Sequence, residues 1–170
     1  MIHVLETERL TLRPHTLADF AESAAMWGDP VVTRYIGGRP STREEAWARL
    51  LRYAGMWSLL GFGPWVAREK ASGELVGEVG FARFERDIDP PLGAMPEIGW
   101  IFAARAHGRG LATEAARAAV AWGDTQFPGA TTVCIINPVN TASIRVAEKC
   151  GYRAIRQTTY TGEDTIVFER

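Results

Sequence analysis

The sequence predicts a mixed α/β fold, with a central sheet of about seven strands and helices on both faces. Three observations predict it. Short segments of alternating or β-branched apolar character are interleaved with longer segments of helical spacing. Glycine and proline clusters punctuate the joints between them. The length of 170 residues suits one core, so residues 1–170 are read as a single domain.

Residues 9–13, Arg-Leu-Thr-Leu-Arg, alternate polar and apolar until Pro14 stops the first strand. Thr16 is placed to cap a helix over 17–28, with Asp19 in its favourable first turn. Ser41 or Thr42, followed by Glu44 and Glu45, opens a second helix to about Leu59. Strands over 62–69 and 75–84 flank Lys70-Ala71-Ser72-Gly73, a hairpin turn. Residues 85–96 carry Pro90, Pro91, Gly93 and Pro96 and read as a loop, which hands over to a strand at 97–102. An alanine-rich helix then runs to about Asp124, its small side chains suited to close packing on a sheet. Residues 131–136 form a short β-branched strand. Asn140 caps a last helix through Cys150, ended by Gly151. Strands over 152–160 and 164–169, joined by Thr161-Gly162-Glu163, finish the chain.

Composition narrows the function. Hydrophobic residues make up 46% and charged residues 23%, which argues against disorder. A net charge of −1 gives no electrostatic case for nucleic acid. No apolar stretch approaches the ~18 residues of a membrane span, and Met1-Ile2-His3-Val4-Leu5-Glu6 lacks the layout of a signal peptide. No nucleic-acid or membrane partner is expected, and a cytoplasmic location is. Cys134 and Cys150 have neither metal nor disulfide-framework spacing and read as half-buried apolar side chains. His3, His15 and His107 are scattered, with no triad or metal site among them.

The segment richest in chemistry is the strand at 97–102, then Arg105-x-x-Gly108-x-Gly110, then a helix. Glycines at a helix mouth let the backbone approach a ligand, and unpaired N–H groups with the helix dipole favour a phosphate. Arg105 and Arg109 add charge-assisted hydrogen bonds. A P-loop is excluded because no Gly-Lys-Ser/Thr follows at the required spacing. The dinucleotide fingerprint fails at Thr113. A tight turn with no ligand remains an alternative at this point.

About 30 residues further on lies Asn137-Pro138-x-Asn140-x-x-Ser143-x-x-x-Ala147-Glu148-Lys149-x-Gly151-Tyr152. With Thr7-Glu8-Arg9-Leu10-x-Leu12-Arg13, Glu97-Ile98-Gly99-Trp100 and His107-Gly108-Arg109-Gly110-x-Ala112-Thr113-Glu114-Ala115, it resembles the GNAT superfamily of N-acetyltransferases. The fit is to the branch of ribosomal-protein N-terminal-alanine acetyltransferases. The resemblance covers nearly the whole chain. It implies acetyl-coenzyme A as cosubstrate. Backbone donors near Ile101 and Phe102 are then expected to hold the acyl carbonyl. The backbone of His107, Gly108, Arg109, Gly110, Leu111 and Ala112 is expected to cradle the pyrophosphate, with Arg105 and Thr113 also in contact with the cofactor. Asn140 is expected to bond the pantetheine arm near the thiol, with Ser143 beside it.

An ammonium has no lone pair, so the acceptor must lose a proton before it attacks the thioester. At pH 7 this costs roughly 1.4 kcal/mol for an α-amine and about 4.6 kcal/mol for a lysine amine. Glu97 is the candidate base, since related enzymes place a glutamate on this strand, and Glu163 is the alternative. Many relatives carry a tyrosine acid seven residues after the asparagine; here that position is Ala147. The resemblance implies that Ser143 fills the role. Trp27, Tyr35, Trp57, Phe84 and Tyr160 are candidates for the acceptor wall, although burial in the core is the ordinary fate of such side chains. Glu85, Asp87, Asp89, Glu163 and Asp164 sit in loops expected to flank it and to draw in a cationic amine. The expected reaction is direct acetyl transfer to a primary amine, a protein N-terminus or a small molecule, in preference to a lysine side chain. The expected assembly is a monomer or homodimer. An acyl-coenzyme A-binding sensor without turnover is the alternative.

Overall fold

The computed structural model describes residues 4–170. His3 and the first part of the chain's start lie outside the described residues. Eight strands form one sheet, ordered β1 (Leu5–Glu6), β2 (Leu10–Pro14), β3 (Pro64–Glu69), β4 (Leu75–Ala82), β5 (Glu97–Phe102), β6 (Val133–Ile136), β8 (Glu163–Glu169) and β7 (Arg153–Tyr160). The helices are α1 (Phe20–Trp27), α2 (Pro30–Thr33), α3 (Arg43–Leu60), α4 (Leu111–Gln126) and α5 (Thr141–Lys149). The mixed α/β architecture is as expected, with one strand more. The extra strand, β1, pairs Leu5 with Leu12 and Glu6 with Thr11; two residues are too few to show an alternation.

Other boundaries shift for local reasons. The helix expected over 17–28 opens as a 3-10 turn, Leu17–Asp19, before α1 begins. Asp19 Oδ2 accepts from the Thr16 amide at 2.7 Å and its hydroxyl at 2.9 Å, fixing that entry. The short α2 went unread; Pro30 occupies its first turn and the Asp29 side chain caps Val31. Phe62 stays out of β3 because its ring packs edge-on against Phe127, 5.0 Å between centroids. Thr42 and Glu45 form the reciprocal cap expected for α3.

The pleat divides the strands' side chains between two helical layers. Trp65, Val79, Phe81, Ile98 and Phe102 pack under α4, whose Ala115, Ala116 and Ala119 are fully buried there. At Gly123 any β-carbon meets the Phe81 ring at 2.5 Å, so the absence of a side chain lets helix and sheet close up. On the opposite face Met26, Trp27 and Val32 cover Val66, Leu75 and Ile101, and Tyr53 and Met56 cover Ala82. Helices therefore lie on both faces.

The start of α4 is tied to the sheet by Glu114. Its carboxylate accepts from the Thr7 hydroxyl at 2.6 Å, the Arg9 amide at 2.8 Å and Arg9 Nε at 2.7 Å. The Thr7-Glu8-Arg9 and Thr113-Glu114 motifs are thus two halves of one clamp, and what the clamp holds still is the glycine turn before α4.

Candidate active site

β5 has a partner on β4 at every position but meets β6 only at Glu97↔Val133. Beyond that pair the two parallel strands part, and the far edge of β5 has no strand to bond. A cavity of about 350 Å³ fills the gap. Ile98, Gly99, Trp100 and Ile101 line one side of it, and Cys134, Ile135, Ile136 and Asn137 the other, with Asn140 and Ser143 from α5. Its floor is the directly paired Gly80 and Gly99, where the sheet carries no side chains. A β-carbon on Gly99 meets nothing within 4 Å.

Asn140 serves as the N-cap of α5, its Oδ1 accepting from the Ser143 amide at 3.2 Å. That bond spends the oxygen and leaves the Nδ2 donors for another partner. The Trp100 indole N–H donates to Ser143 Oγ at 3.3 Å. The hydroxyl's own hydrogen remains available, and its lone pair is oriented by half-buried Trp100, to which sequence reasoning gave no role at Ser143.

The glycine turn lies outside this cavity. Gly108 and Gly110 have φ of 71° and 77°, a region costly for residues with a β-carbon. A β-carbon on Gly108 faces open space; one on Gly110 lies 3.6 Å from Arg9 Nη2. No side chain caps α4, so the amides of Leu111, Ala112 and Thr113 are offered outward from a positive helix end. Leu111 itself is buried. Arg105 donates to the Leu75 carbonyl at 2.5 Å and pairs with Glu74 at 3.3 Å, while Arg109 pairs with Glu69. Both arginines are therefore engaged by protein groups. His107 bonds the Phe102 carbonyl through Nε2 at 2.8 Å, which pins the turn to the end of β5. Ile101 lines the cavity, whereas the Phe102 side chain points into the core.

Glu97 is 5% exposed, and Arg86 grips both its oxygens at 2.7 Å. Arg86 also donates to the Tyr160 hydroxyl at 3.1 Å. Burial pushes the Arg86 guanidinium down, but Glu97 and Tyr160 outweigh it and hold it above its ordinary value. Trp27, Tyr35, Phe84 and Tyr160 line the cavity; Trp57 instead packs with Trp65 and Trp122 in the core. Of the acidic loop residues, Glu163 and Asp164 reach the cavity. Glu85 turns to Arg83.

A second buried cluster was invisible in the sequence. Glu78 on β4 accepts from the Ser23 hydroxyl at 2.6 Å and Trp27 Nε1 at 2.9 Å, with His15 Nε2 at 3.2 Å. Burial pushes the Glu78 carboxyl up, yet His15, Ser23 and Trp27 more than offset it and hold it below its ordinary value. His15, scattered in sequence, is thus buried behind Glu78, which with Trp27 lines the cavity. Cys134 and Cys150 are free and fully buried rather than half-buried. Burial pushes the Cys134 thiol well up, so it lines the cavity as a protonated, inert group.

The strand parting from its neighbour, an uncapped helix behind a glycine turn and an asparagine cap beside the gap together make up the site. A GnaT-family acetyltransferase from Bordetella pertussis superposes with a TM-score of 0.87 at 34% identity, over 99% of both chains. YkkB of Bacillus subtilis (strain 168) is 31% identical over 98% of this chain and 94% of its own. The ribosomal-protein-S5-alanine acetyltransferase from Vibrio fischeri, at 16% identity, shares the fold with a TM-score of 0.76 over 99% and 96% of the two chains. Residues 9–153 match the acetyltransferase (GNAT) domain, the greater part of the chain, and with that match the chain belongs to the GNAT acetyltransferases.

Proposed function

We propose that this enzyme moves the acetyl group of acetyl-coenzyme A directly to a primary amine, on a protein N-terminus or a small molecule. The observation that carries this reading is the cavity opened where β5 leaves β6, because it joins the unpaired edge of β5 to a separate aromatic and charged wall. The donor supplies an activated acyl thioester. The residues fit it: the open approach at Gly108 and the free amides of Leu111, Ala112 and Thr113 suit its pyrophosphate, and Asn140 Nδ2 its amide-bearing arm. The backbone of Ile101 and Phe102 is assigned to the acyl carbonyl.

Ionised amine is first deprotonated, the nitrogen forms a bond to the acyl carbon, and the carbon–sulfur bond breaks. Glu97 is assigned the amine's proton, once Arg86 releases one of its oxygens. Ser143, oriented by Trp100, is assigned the relay: its hydroxyl proton goes to the leaving sulfur and is replaced by the second proton that the nitrogen sheds after attack. A thiol of pKa ~8.5 is a good leaving group, which explains how Ala147 stands where relatives carry a tyrosine. The inert thiol of Cys134 argues for direct transfer without an acyl-enzyme stage. The test combines thermal melting with acetyl-coenzyme A and a free-thiol assay over an amine panel. Saturating donor at ~100 times Kd stabilises a specific binder by about 2.7 kcal/mol. Absence of any shift refutes the reading, and a shift without thiol release makes the chain a sensor.

A further inference from the structure

The cavity widens beside Tyr160 into a mouth lined by Arg39, Arg49, Arg52 and Arg86 against one acid, Glu45. Glu45 is already committed to Arg39 at 2.5 Å, and Glu97 to Arg86. Arg49 and Arg52 have no carboxylate within ion-pair distance among the described residues. They are nonetheless held in place by rings. Arg49 stacks 3.5 Å from the Trp27 centroid, and Arg52 and Arg86 both lie over Phe84, at 5.3 Å and 4.5 Å. Burial pushes the Arg49 guanidinium down; Tyr53 and Glu78 oppose this without reversing it, and the neighbouring charge of Arg52 adds to it. Like charges gathered on rigid aromatic supports, facing a cavity and short of acids, are the arrangement that recognises an anion. The cavity inside the mouth is lined by Glu163 and Asp164, which suit an ammonium.

Resting on acetyl transfer at this cavity, we propose that the acceptor is a small dipolar amine bearing a carboxylate or phosphate close to its amino group. The anion sits on Arg49 and Arg52 at the mouth, and the amine enters past Glu163 toward Gly99. The anion also gives Arg86 a second anionic partner beside Glu97, which frees an oxygen of Glu97 to take the amine's proton. A protein N-terminus, whose neighbouring carbonyl is a neutral amide, lacks the group the mouth reads.

Matched amines test this: phenylalanine against phenylalaninamide, phosphoethanolamine against ethanolamine, and a peptide with a free N-terminus. The anionic member of at least one pair is expected to win by tenfold or more in kcat/KM, and which pair responds separates carboxylate from phosphate. Arg52→Met, at an exposed position, and Arg49→Met are each expected to shrink that ratio severalfold, with the acetyl-coenzyme A melting shift unchanged. Equal or better turnover of the neutral amines or the peptide overturns the proposal while leaving acetyl transfer standing. So does an anionic preference that survives both substitutions, or failure of every amine in a protein that binds donor. Loss of the donor's melting shift in the unmodified protein instead overturns the function on which the proposal rests.

Discussion

Gly99→Val separates what the cavity floor does from what it costs. Gly99 faces Gly80 across β4 and β5, its φ is not in the left-handed region, and a β-carbon there meets nothing within 4 Å. Glycine inside a strand loses more conformational entropy on folding than alanine, a penalty of about 0.5–1 kcal/mol, and valine suits a pleated surface better still. The variant is therefore expected to gain roughly 0.5–1 kcal/mol in stability, which for a chain of this size raises Tm by about 1–4 °C. Its three added carbons, at roughly 30 Å³ each by the liquid share of a water, claim on the order of a quarter of the 350 Å³ cavity. An acceptor displaced by about 1 Å loses on the order of 100-fold in rate. The assay is acceptor kcat/KM beside melting curves with and without acetyl-coenzyme A, with Gly99→Ala as the intermediate. A Gly99→Val protein that melts higher, keeps its donor shift and loses activity bears the reasoning out. Unchanged acceptor kinetics refutes it by showing that the space above Gly99 is not where the acceptor sits, and a lower Tm refutes it by showing that the space is not open to a side chain.

Glu97→Gln is expected to lower kcat with little change in donor affinity, and the loss is expected to shrink as pH rises and the amine deprotonates unaided; full activity at pH 7 moves the proton to Glu163 or water. Ser143→Ala is expected to cost about tenfold in kcat, with Trp100→Phe lowering kcat less through the same hydroxyl, and equal rates in all three proteins remove Ser143 from the reaction. Glu114→Gln loosens the clamp on the glycine turn, so the Kd for acetyl-coenzyme A is expected to rise severalfold by calorimetry; an unchanged Kd means the clamp serves folding alone. Burial pushes the Asp19 carboxyl up, but Arg13, Arg68 and Thr16 overcome it and hold it far below its ordinary range. A depressed folded-state pKa stabilises above the unfolded value of about 3.9 and is lost as pH falls through it toward the folded one. Urea melts are expected to show stability declining below about pH 4 and a shallower decline in Asp19→Asn; identical acid limbs in the two proteins exclude Asp19 as the source.

The legible parts of the chain share one physical property: their partners are near in sequence. Thr42 and Glu45 cap α3 three residues apart, Asn140 bonds Ser143 three residues on, and Gly108 and Gly110 shape a turn from their own dihedral freedom. These are also the groups suited to the donor, whose binding rests on backbone amides and a helix end. The acceptor wall is built otherwise. Glu78 meets Ser23 across 55 residues and Trp27 across 51, Arg86 reaches Tyr160 across 74, and Arg49 and Arg52 become a mouth only when α3 is laid beside the last hairpin. Nothing local marks those side chains, since a buried Glu78 and a solvated glutamate leave the same letter. The parting of β5 from β6 is illegible for a related reason: it is a property of two strands 36 residues apart at their one pairing, not of either alone. A family whose common chemistry lies in short-range backbone geometry can therefore be recognised from motifs while its acceptor cannot. Substitutions should divide the same way, with changes at Gly108 or Glu114 acting through donor affinity and changes at Arg52, Glu78 or Gly99 acting through the choice of amine.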